Sequence, residues 1–320
     1  MKKMPLCFIS GAAVQSRVDN KNKMDSEASN GITDYYSLEI SPRQFDKISG
    51  LVYQISGIDL HEGKEELVKA RLLKRLRHLK ITNFERYLKY LADDKSGKEL
   101  RAMVDVLTTN KTHFFREAEH LDFLRDEIIP HLGKGPIRIW SAGCSSGEEP
   151  YSIAIVLSEA IPDIVIRDIR ILATDISDRM MEKARRGIYD GETIKTVPPL
   201  LKQKYFESAK AGSGRQYQVI PQLQYLISFA KLNLMEEWPM RGPFEAIFCR
   251  NVMIYFDKPT QERLVGRFWS LLREGGYLFV GHSESLTFLK HDYQYLQPAV
   301  YRKVKPSEMH PRKRVGVKGK

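Results

Sequence analysis

Two acidic residues beside a turn of small residues have the chemistry to bind a cationic ligand. Residues 141–150 read SAGCSSGEEP, and small side chains at a strand-to-helix turn allow a ligand to approach the backbone closely. The dinucleotide-binding glycine pattern is incomplete, because residues 144–146 stand where glycines would recur. Glu148 and Glu149 repel phosphate but suit an ammonium or sulfonium group. The same two acids would also complement the dipole of a helix that begins here.

A further acid follows the next apolar segment of the chain. Residues 169–174 read as a buried strand, and Asp175 comes directly after it. An acid at this position after a glycine turn can accept hydrogen bonds from ribose hydroxyls. A helix N-cap at Asp175 or Asp178 is the structural alternative. Together with the glycine turn, the position favours a nucleoside site.

Polar residues also follow a third apolar segment, residues 244–249. Arg250 and Asn251 come directly after it, and Tyr255 lies four residues further on. Polar groups at the end of a buried strand are placed to line a site. We therefore expect these side chains to face the same ligand.

A fourth polar segment precedes the first of these strands. Residues 108–116 read TTNKTHFFR, and their hydroxyls, amide and aromatic rings suit a lid over a ligand. The arginine, Arg116, can bind a carboxylate through two hydrogen bonds. A helix cap followed by core phenylalanines would explain the same composition.

The elements that must position these residues alternate between strand and helix from residue 137 onward. This alternation predicts an α/β fold with a mostly parallel, doubly wound sheet. Between residues 198 and 234 it is interrupted, and segments 216–220 and 223–229 predict a small β insertion. The strands are predicted at 137–142, 169–174, 244–249, 277–281 and 299–304, and the helices at 149–160, 179–188 and 259–272.

Residues 35–107 have a helical pattern throughout. The clearest helix covers residues 64–79, where Val68, Leu72, Leu76 and Leu79 recur at three- and four-residue spacing and predict one buried stripe. Basic residues surround this apolar stripe, and they form either an ordinary solvated face or a docking surface for an acidic helix. The candidate docking residues are Lys69, Arg71, Lys74, Arg75 and Arg77.

Composition limits the function classes that remain. The net charge of +11 lies mostly in residues 302–320, which hold eight Lys or Arg and one acid, so the folded body is only weakly basic. No apolar run approaches the ~20 residues of a membrane-spanning helix. Residues 4–14 resemble a signal peptide only loosely, and Met24 is an alternative start. The three cysteines have no disulfide or metal-ligand spacing, which favours a cytoplasmic protein without a metal.

Taken together, five segments resemble the chemotaxis receptor methyltransferase family, the CheR proteins. They read TTNKTHFFR, WSAGCSSGEEPYSIAI, ATDIS, FCRNVMIYFDKPTQERL and GHSESL, and the resemblance covers about residues 35–304. It implies a Rossmann-like class I methyltransferase sheet with a small β-subdomain insertion at about 205–232, preceded by a small all-α domain. The implied cofactor is S-adenosyl-L-methionine, with S-adenosyl-L-homocysteine as the product.

The resemblance also implies roles for individual residues. Arg116 and Tyr255 match the positions beside the transferred methyl group and are the candidate catalytic residues. The implied reaction is methyl esterification of glutamate side chains on the cytoplasmic methylation helices of chemoreceptors, for sensory adaptation. The positions that match cofactor contacts are Asn110, Thr112, Arg116, Glu149, Asp175, Asn233, Leu234, Arg250 and Asn251.

The predicted organisation has four parts. Residues 1–33 form a disordered leader, 34–108 the helical domain, 109–304 the methyltransferase domain and 305–320 a basic flexible tail. The tail could make weak contacts with anionic partners, but no nucleic acid partner and no membrane insertion are expected. A nucleic-acid methyltransferase is a weak alternative, because residues 250–253 lack the proline pair of the base-methylating turn. A cofactor-binding regulatory module is the other alternative.

Overall fold

The computed structural model describes residues 35–211 and 214–304, so the predicted leader and basic tail lie outside the described residues. No helix in the described part of the chain is both long enough and apolar enough to cross a membrane. The helices are α1 (Pro42–Ser56), α2 (Glu65–Leu79), α3 (Phe84–Asp93), α4 (Lys98–Leu107), α5 (Ala118–Phe123), α6 (Glu148–Ala160), α7 (Asp178–Arg186), α8 (Pro199–Tyr205), α9 (Pro221–Tyr225) and α10 (Lys258–Leu271). The strands are β1 (Ile137–Ala142), β2 (Ile169–Asp175), β3 (Ile188–Asp190), β4 (Phe206–Ala211), β5 (Gly214–Val219), β6 (Ile227–Lys231), β7 (Phe244–Cys249), β8 (Leu272–Val280), β9 (Gln294–Gln297) and β10 (Val300–Arg302).

Helices α1 to α4 form the all-α domain that the sequence predicts. A capping box between Ser41 and Gln44 begins α1, and Gly57 ends it in the left-handed conformation at φ 71°. In the apolar stripe of α2, Val68, Leu72 and Leu76 are at 0% exposure, as their spacing predicts, whereas Leu79 in the last turn is only partly buried. The basic helix is therefore held to the domain by one face.

The main sheet has seven strands in the order β6-β2-β1-β7-β8-β10-β9. Strands β6, β2, β1, β7 and β8 are parallel to their neighbours, whereas β10 and β9 add an antiparallel edge. The chain leaves β1 towards β2 on one side and returns to β7 on the other. The crevice between the carboxyl ends of β1 and β7 is therefore the topological switch point, where open α/β sheets bind ligands. The predicted fold class is confirmed.

Two apolar layers cover the two faces of this sheet. Side chains alternate along β1, so that Ile139 packs into the layer that contains α6, and Trp140 into the layer that contains α10. The core of the helical domain, including Leu72, is continuous with the α10 layer. This shared core fixes the helical domain beside the carboxyl edge of the sheet.

The small antiparallel sheet corrects one part of the sequence prediction. Its order is β3-β5-β4, so it begins at Ile188, which the sequence assigned to the end of a helix. Helix α7 stops earlier because Gly187 adopts a left-handed conformation at φ 60°. The predicted insertion strand 223–229 is wrong. Helix α9 takes the first half of that segment, and β6 then joins the main sheet beside β2. A short apolar run carries no information about which sheet it joins, because that pairing is non-local.

Candidate functional site

A cavity of about 430 Å³ lies at the carboxyl ends of β1, β2 and β7, against the helical domain. Its volume is within the range of small-molecule sites. The structure brings together every residue that the sequence predicted for cofactor binding or catalysis. The cavity is lined by Asn110, Thr112, Arg116, Glu149, Asp175, Asn233, Leu234, Arg250, Asn251 and Tyr255.

The turn after β1 forms the floor of the cavity. Gly143 has φ 83°, and a Cβ atom built on it would lie 2.4 Å from Cγ2 of Val252. No larger residue fits here without moving the loop after β7. The backbone N–H of Ser145 donates to Asp175 Oδ2 at 2.8 Å, and its hydroxyl donates to the carbonyl of Asn110 at 3.1 Å. The turn therefore connects three of the segments that the sequence singled out.

Asp175 is buried and supports the loops around it. Besides the bond from Ser145, its Oδ1 accepts the backbone N–H of Ser177 at 2.9 Å. The N-cap of α7 is Ser177, whose hydroxyl accepts from Met180, so the N-cap alternative for Asp175 and Asp178 is wrong. Burial raises the pKa of Asp175, and these backbone N–H donors oppose that shift. A carboxylate offers about four acceptor sites, so Asp175 keeps acceptor capacity for ribose hydroxyls.

The two acids at the start of α6 have different environments. Glu148 points away from the cavity, and both of its carboxylate oxygens accept the hydroxyl of Ser146. Glu149 lines the cavity, where it accepts the Ser141 hydroxyl at 2.7 Å and Nη1 of Arg250 at 3.1 Å. Burial raises the pKa of Glu149, and the Arg250 charge works against that rise. Of these two acids, only Glu149 can therefore offer a negative charge to a ligand in the cavity.

Arg250 lies between two carboxylates at the end of β7. In addition to Glu149, its Nε and Nη2 donate to Glu117 Oε2 at 3.3 and 3.1 Å, and Nη2 also donates to the carbonyl of Arg116. The side chain of Arg250 is almost fully buried. Such pairs are stable only when the remaining donors are satisfied, as they are here. Glu117 could not be singled out from the sequence, because a lone acid beside Arg116 looks like a surface residue.

Asn251 adopts a left-handed backbone at φ 59° and is fixed from two sides. Its backbone N–H donates to Glu284 Oε2 at 2.8 Å, and its Nδ2 donates to Glu117 Oε1 at 3.3 Å. Glu284 belongs to the GHSESL segment and also accepts from the backbone of Gly281 and Ile254. The GHSESL motif is visible in the sequence, but only the structure shows that its Glu284 holds the loop after β7.

The two candidate catalytic residues lie at different parts of the cavity wall. Arg116 is half-buried, and its Nη1 donates to the carbonyl of Lys111 at 2.9 Å. Its remaining donors are available to an acceptor carboxylate. Tyr255 ends a short 3-10 helix, and its carbonyl accepts the backbone N–H of Asp59 at 2.8 Å. Tyr255 is therefore positioned by a contact with the helical domain.

Asn233 and Leu234 follow β6 and connect it to the helical domain. Asn233 Nδ2 donates to the carbonyl of Ile55 at 2.6 Å, at the end of α1, and its Oδ1 accepts the backbone N–H of Met235. The adjacent Leu234 is 8% exposed. The position of Asn233 in this wall of the cavity is therefore set by contacts within the protein.

The candidate docking residues on α2 divide into two groups. Lys69 pairs with Glu39, Arg71 donates to Thr109 Oγ1 at 2.8 Å, and Arg75 pairs with Glu99, which is 4% exposed. These three side chains are engaged inside the domain. The other two, Lys74 and Arg77, are exposed residues, and the Arg77 guanidinium also lies over the Tyr35 ring of the same domain, 5.8 Å from its centre.

A possible metal cluster lies next to this site. The ligand atoms of Glu117, His120 and His282 lie within 4.8 Å of one another. His120 is fully buried, and neither of its ring nitrogens has a hydrogen-bond partner within the described residues. However, Arg250 already neutralises Glu117, and a guanidinium beside the carboxylate opposes the binding of a cation. The arrangement therefore does not favour a metal ion.

Comparisons with known proteins identify the family. The model described as "CheR methyltransferase, all-alpha domain" matches residues 43–108, and "CheR methyltransferase, SAM binding domain" matches residues 110–301. A Rhizobium etli protein named "Probable chemotaxis protein methyltransferase" is 41% identical over 79% of this chain and 96% of its own. Proteins named "Chemotaxis protein methyltransferase" from Klebsiella aerogenes and Escherichia coli are 43% and 41% identical, each over 82% of this chain and 90% and 92% of their own.

The second matched range contains all ten predicted site residues, and S-adenosyl-L-methionine is the cofactor of this domain. The donor set fits that molecule, because Glu149 offers a negative charge for a cationic group and Asp175 has acceptor sites left for ribose hydroxyls. From the matched domains and the relatives, the chain belongs to the CheR methyltransferase family.

Proposed function

We propose that this protein transfers a methyl group from S-adenosyl-L-methionine to glutamate side chains of chemoreceptors. The observation that carries the proposal is the cavity, in which the ten predicted residues converge at the switch point of the sheet. The names of its relatives support the chemotaxis role. We also propose that the reaction takes place in the cytoplasm, where the methylation helices of chemoreceptors are found.

The chemistry requires alignment rather than a general base. When bound, the cofactor supplies an electrophilic methyl group on a positively charged sulfur. A glutamate carboxylate, with an ordinary pKa near ~4.3, is already ionised at neutral pH. Its oxygen forms the new bond to the methyl carbon as the carbon–sulfur bond breaks, which leaves S-adenosyl-L-homocysteine and a methyl ester. The nearby His113 is not needed as a base, and burial together with the Arg116 charge lowers its pKa.

The residues of this chain orient the two reactants. Arg116 binds the acceptor carboxylate through its free guanidinium donors, and Tyr255 forms the wall beside the methyl group. Glu149 and Asp175 hold the two ends of the cofactor on the sheet edge. Alignment of this kind lowers the free-energy barrier of a bimolecular reaction, by roughly 7 kcal/mol or more in well-oriented systems.

The receptor helix binds along α2 in this proposal. Lys74 and Arg77 are exposed on that helix, and their charge complements an acidic methylation helix. Leu67, which is 39% exposed on the same helix, also lines the cavity. The docking surface and the reaction site are therefore adjacent. The basic tail contributes at most weak contacts with anionic groups.

The test is transfer of labelled methyl from S-adenosyl-L-methionine to membranes rich in chemoreceptors, followed by mild alkali. Methyl esters release methanol under these conditions, so label that is incorporated and then becomes volatile supports the proposal. Receptors whose methylated glutamates are replaced by alanine serve as the control and should take up no label. Absence of transfer, or an alkali-stable product, would overturn the proposed acceptor.

A further inference from the structure

Glu117 occupies an unusual place beneath the cavity. It stands immediately before α5 with a left-handed backbone at φ 50°, and its side chain is 12% exposed. It is absent from the cavity lining, although its carboxylate binds two lining residues, Arg250 and Asn251. Nε of Arg116, a third lining residue, lies 3.9 Å from Glu117 Oε1. Any effect of Glu117 on a bound ligand must therefore pass through these neighbours.

The balance of charge gives Glu117 a specific task. Arg250 carries one positive charge and donates to Glu117 on one side and to Glu149 on the other. If Glu117 were neutral, Arg250 would be paired with Glu149 alone, and the negative charge of Glu149 would be cancelled. With Glu117 ionised, Arg250 is shared between two carboxylates, so its charge no longer cancels that of Glu149 and Glu149 can attract a cation.

The ionisation of Glu117 agrees with this task. Although burial opposes it, the Arg250 charge and the hydrogen bond from Asn251 lower the pKa of Glu117. Glu149 differs, since burial raises its pKa. Of these two carboxylates, Glu117 is thus the one fixed as the permanent counter-charge of the arginine.

We infer that Glu117 is a positioning residue, which neutralises Arg250 and holds Asn251 so that Glu149 can bind the cationic amino-acid end of the cofactor. This inference rests on the proposed placement of the cofactor in the cavity. It assigns Glu117 no contact with the cofactor. Its effect should be confined to ligands that carry the ammonium group.

The experiment compares two ligands that share a nucleoside. S-Adenosyl-L-homocysteine carries the ammonium group, whereas 5′-methylthioadenosine lacks the whole amino-acid end. In the Glu117→Gln variant we expect the Kd for S-adenosyl-L-homocysteine to rise about tenfold by calorimetry, as for a lost charge-assisted contact. The Kd for 5′-methylthioadenosine, from competition with a labelled ligand, should change less than about twofold. Glu119→Gln, an exposed acid two residues away, is the matched control and should alter neither value.

The outcomes separate charge from packing and from the proposed function. If the Kd values for both ligands rise equally in Glu117→Gln, Glu117 only supports the fold and the inference is wrong. Glu117→Asp keeps the charge, so its affinity for S-adenosyl-L-homocysteine should fall less than that of Glu117→Gln. An equal fall in affinity in the two variants would also overturn the inference. If the wild-type protein failed to bind S-adenosyl-L-homocysteine, the proposed function itself would fail.

Discussion

The two sides of the cavity are built in different ways. On the sheet side, charged groups such as Glu149, Asp175 and Arg250 are fixed by hydrogen bonds to one another and to the backbone. On the helical-domain side, the wall mixes apolar side chains such as Leu67 with charged ones such as Lys64. The charges of α2 are directed either into its own domain or outward to solvent.

This difference separates two tasks within one protein. A fixed set of donors and acceptors recognises a small polar molecule, because each group must already face its partner. A helix with exposed charge can attract and orient a large acidic partner without a specific contact geometry. Variants on the two sides should therefore change different measured quantities.

The largest effect is expected on the sheet side, at Arg116. Replacing Arg116 by alanine removes the group that orients the acceptor, so turnover should fall by at least about 100-fold. The Kd for S-adenosyl-L-homocysteine should change much less. Methyl transfer to receptor membranes and calorimetry measure the two quantities, with the exposed Arg125→Ala as a control. Near-normal turnover in Arg116→Ala would contradict the catalytic role.

Arg75 tests whether α2 is uniformly a docking face. Its guanidinium binds Glu99, which also accepts the hydroxyl of Tyr87 at 2.8 Å. Replacing Arg75 by alanine leaves Glu99 buried without its cation, and the free energy of unfolding should fall by about 3 kcal/mol. Denaturant unfolding measures this loss. The neighbouring Lys74→Ala should change the free energy of unfolding by less than about 0.5 kcal/mol. Equal losses in the two variants would contradict the division of the α2 residues into paired and exposed ones.

His120 should make stability depend on pH. Burial, with the Arg250 charge, lowers its pKa from 6.5 to about 4, so the unfolded chain binds this proton more readily than the folded protein. The contribution of His120 to stability is complete above pH 6.5 and is lost as the pH falls towards 4. Between pH 7 and pH 5 the loss should be about 2 kcal/mol. His120→Gln should remove this part of the pH dependence in urea unfolding, whereas the exposed His78→Gln should retain it.

The smallest effect is expected on the helical side, at the exposed charges. Changing Lys74 and Arg77 together to glutamate should raise the KM for receptor about tenfold at low ionic strength, and less at high salt. The KM for S-adenosyl-L-methionine should stay unchanged. The control changes two exposed lysines elsewhere, Lys134 and Lys290, to glutamate. An equal effect of the control pair would show that only net charge matters.

The spacing of apolar residues predicted most of the helices and strands, because buried positions recur with the period of each element. The strand at Ile137–Ala142 and the helix around Val68 have the bounds that their apolar spacing indicates, within a residue or two. The segment near Leu223 was misassigned, since the strand that follows it, β6, pairs with β2, 56 residues earlier in the chain. Gly187 could have indicated the earlier end of α7.

The site shows the same division between local and non-local information. The sequence by itself determined the residue types at the strand ends and, through its resemblance to the CheR family, the residues that line the cavity. Only the tertiary structure decided which charges face each other. Arg250 meets Glu117 across 133 residues of chain, Glu149 turns inward while Glu148 turns away, and Arg75 pairs with the buried Glu99. Charge pairing depends on distances of a few ångströms between side chains, and these distances exist only after the sheet and the helical domain have packed together.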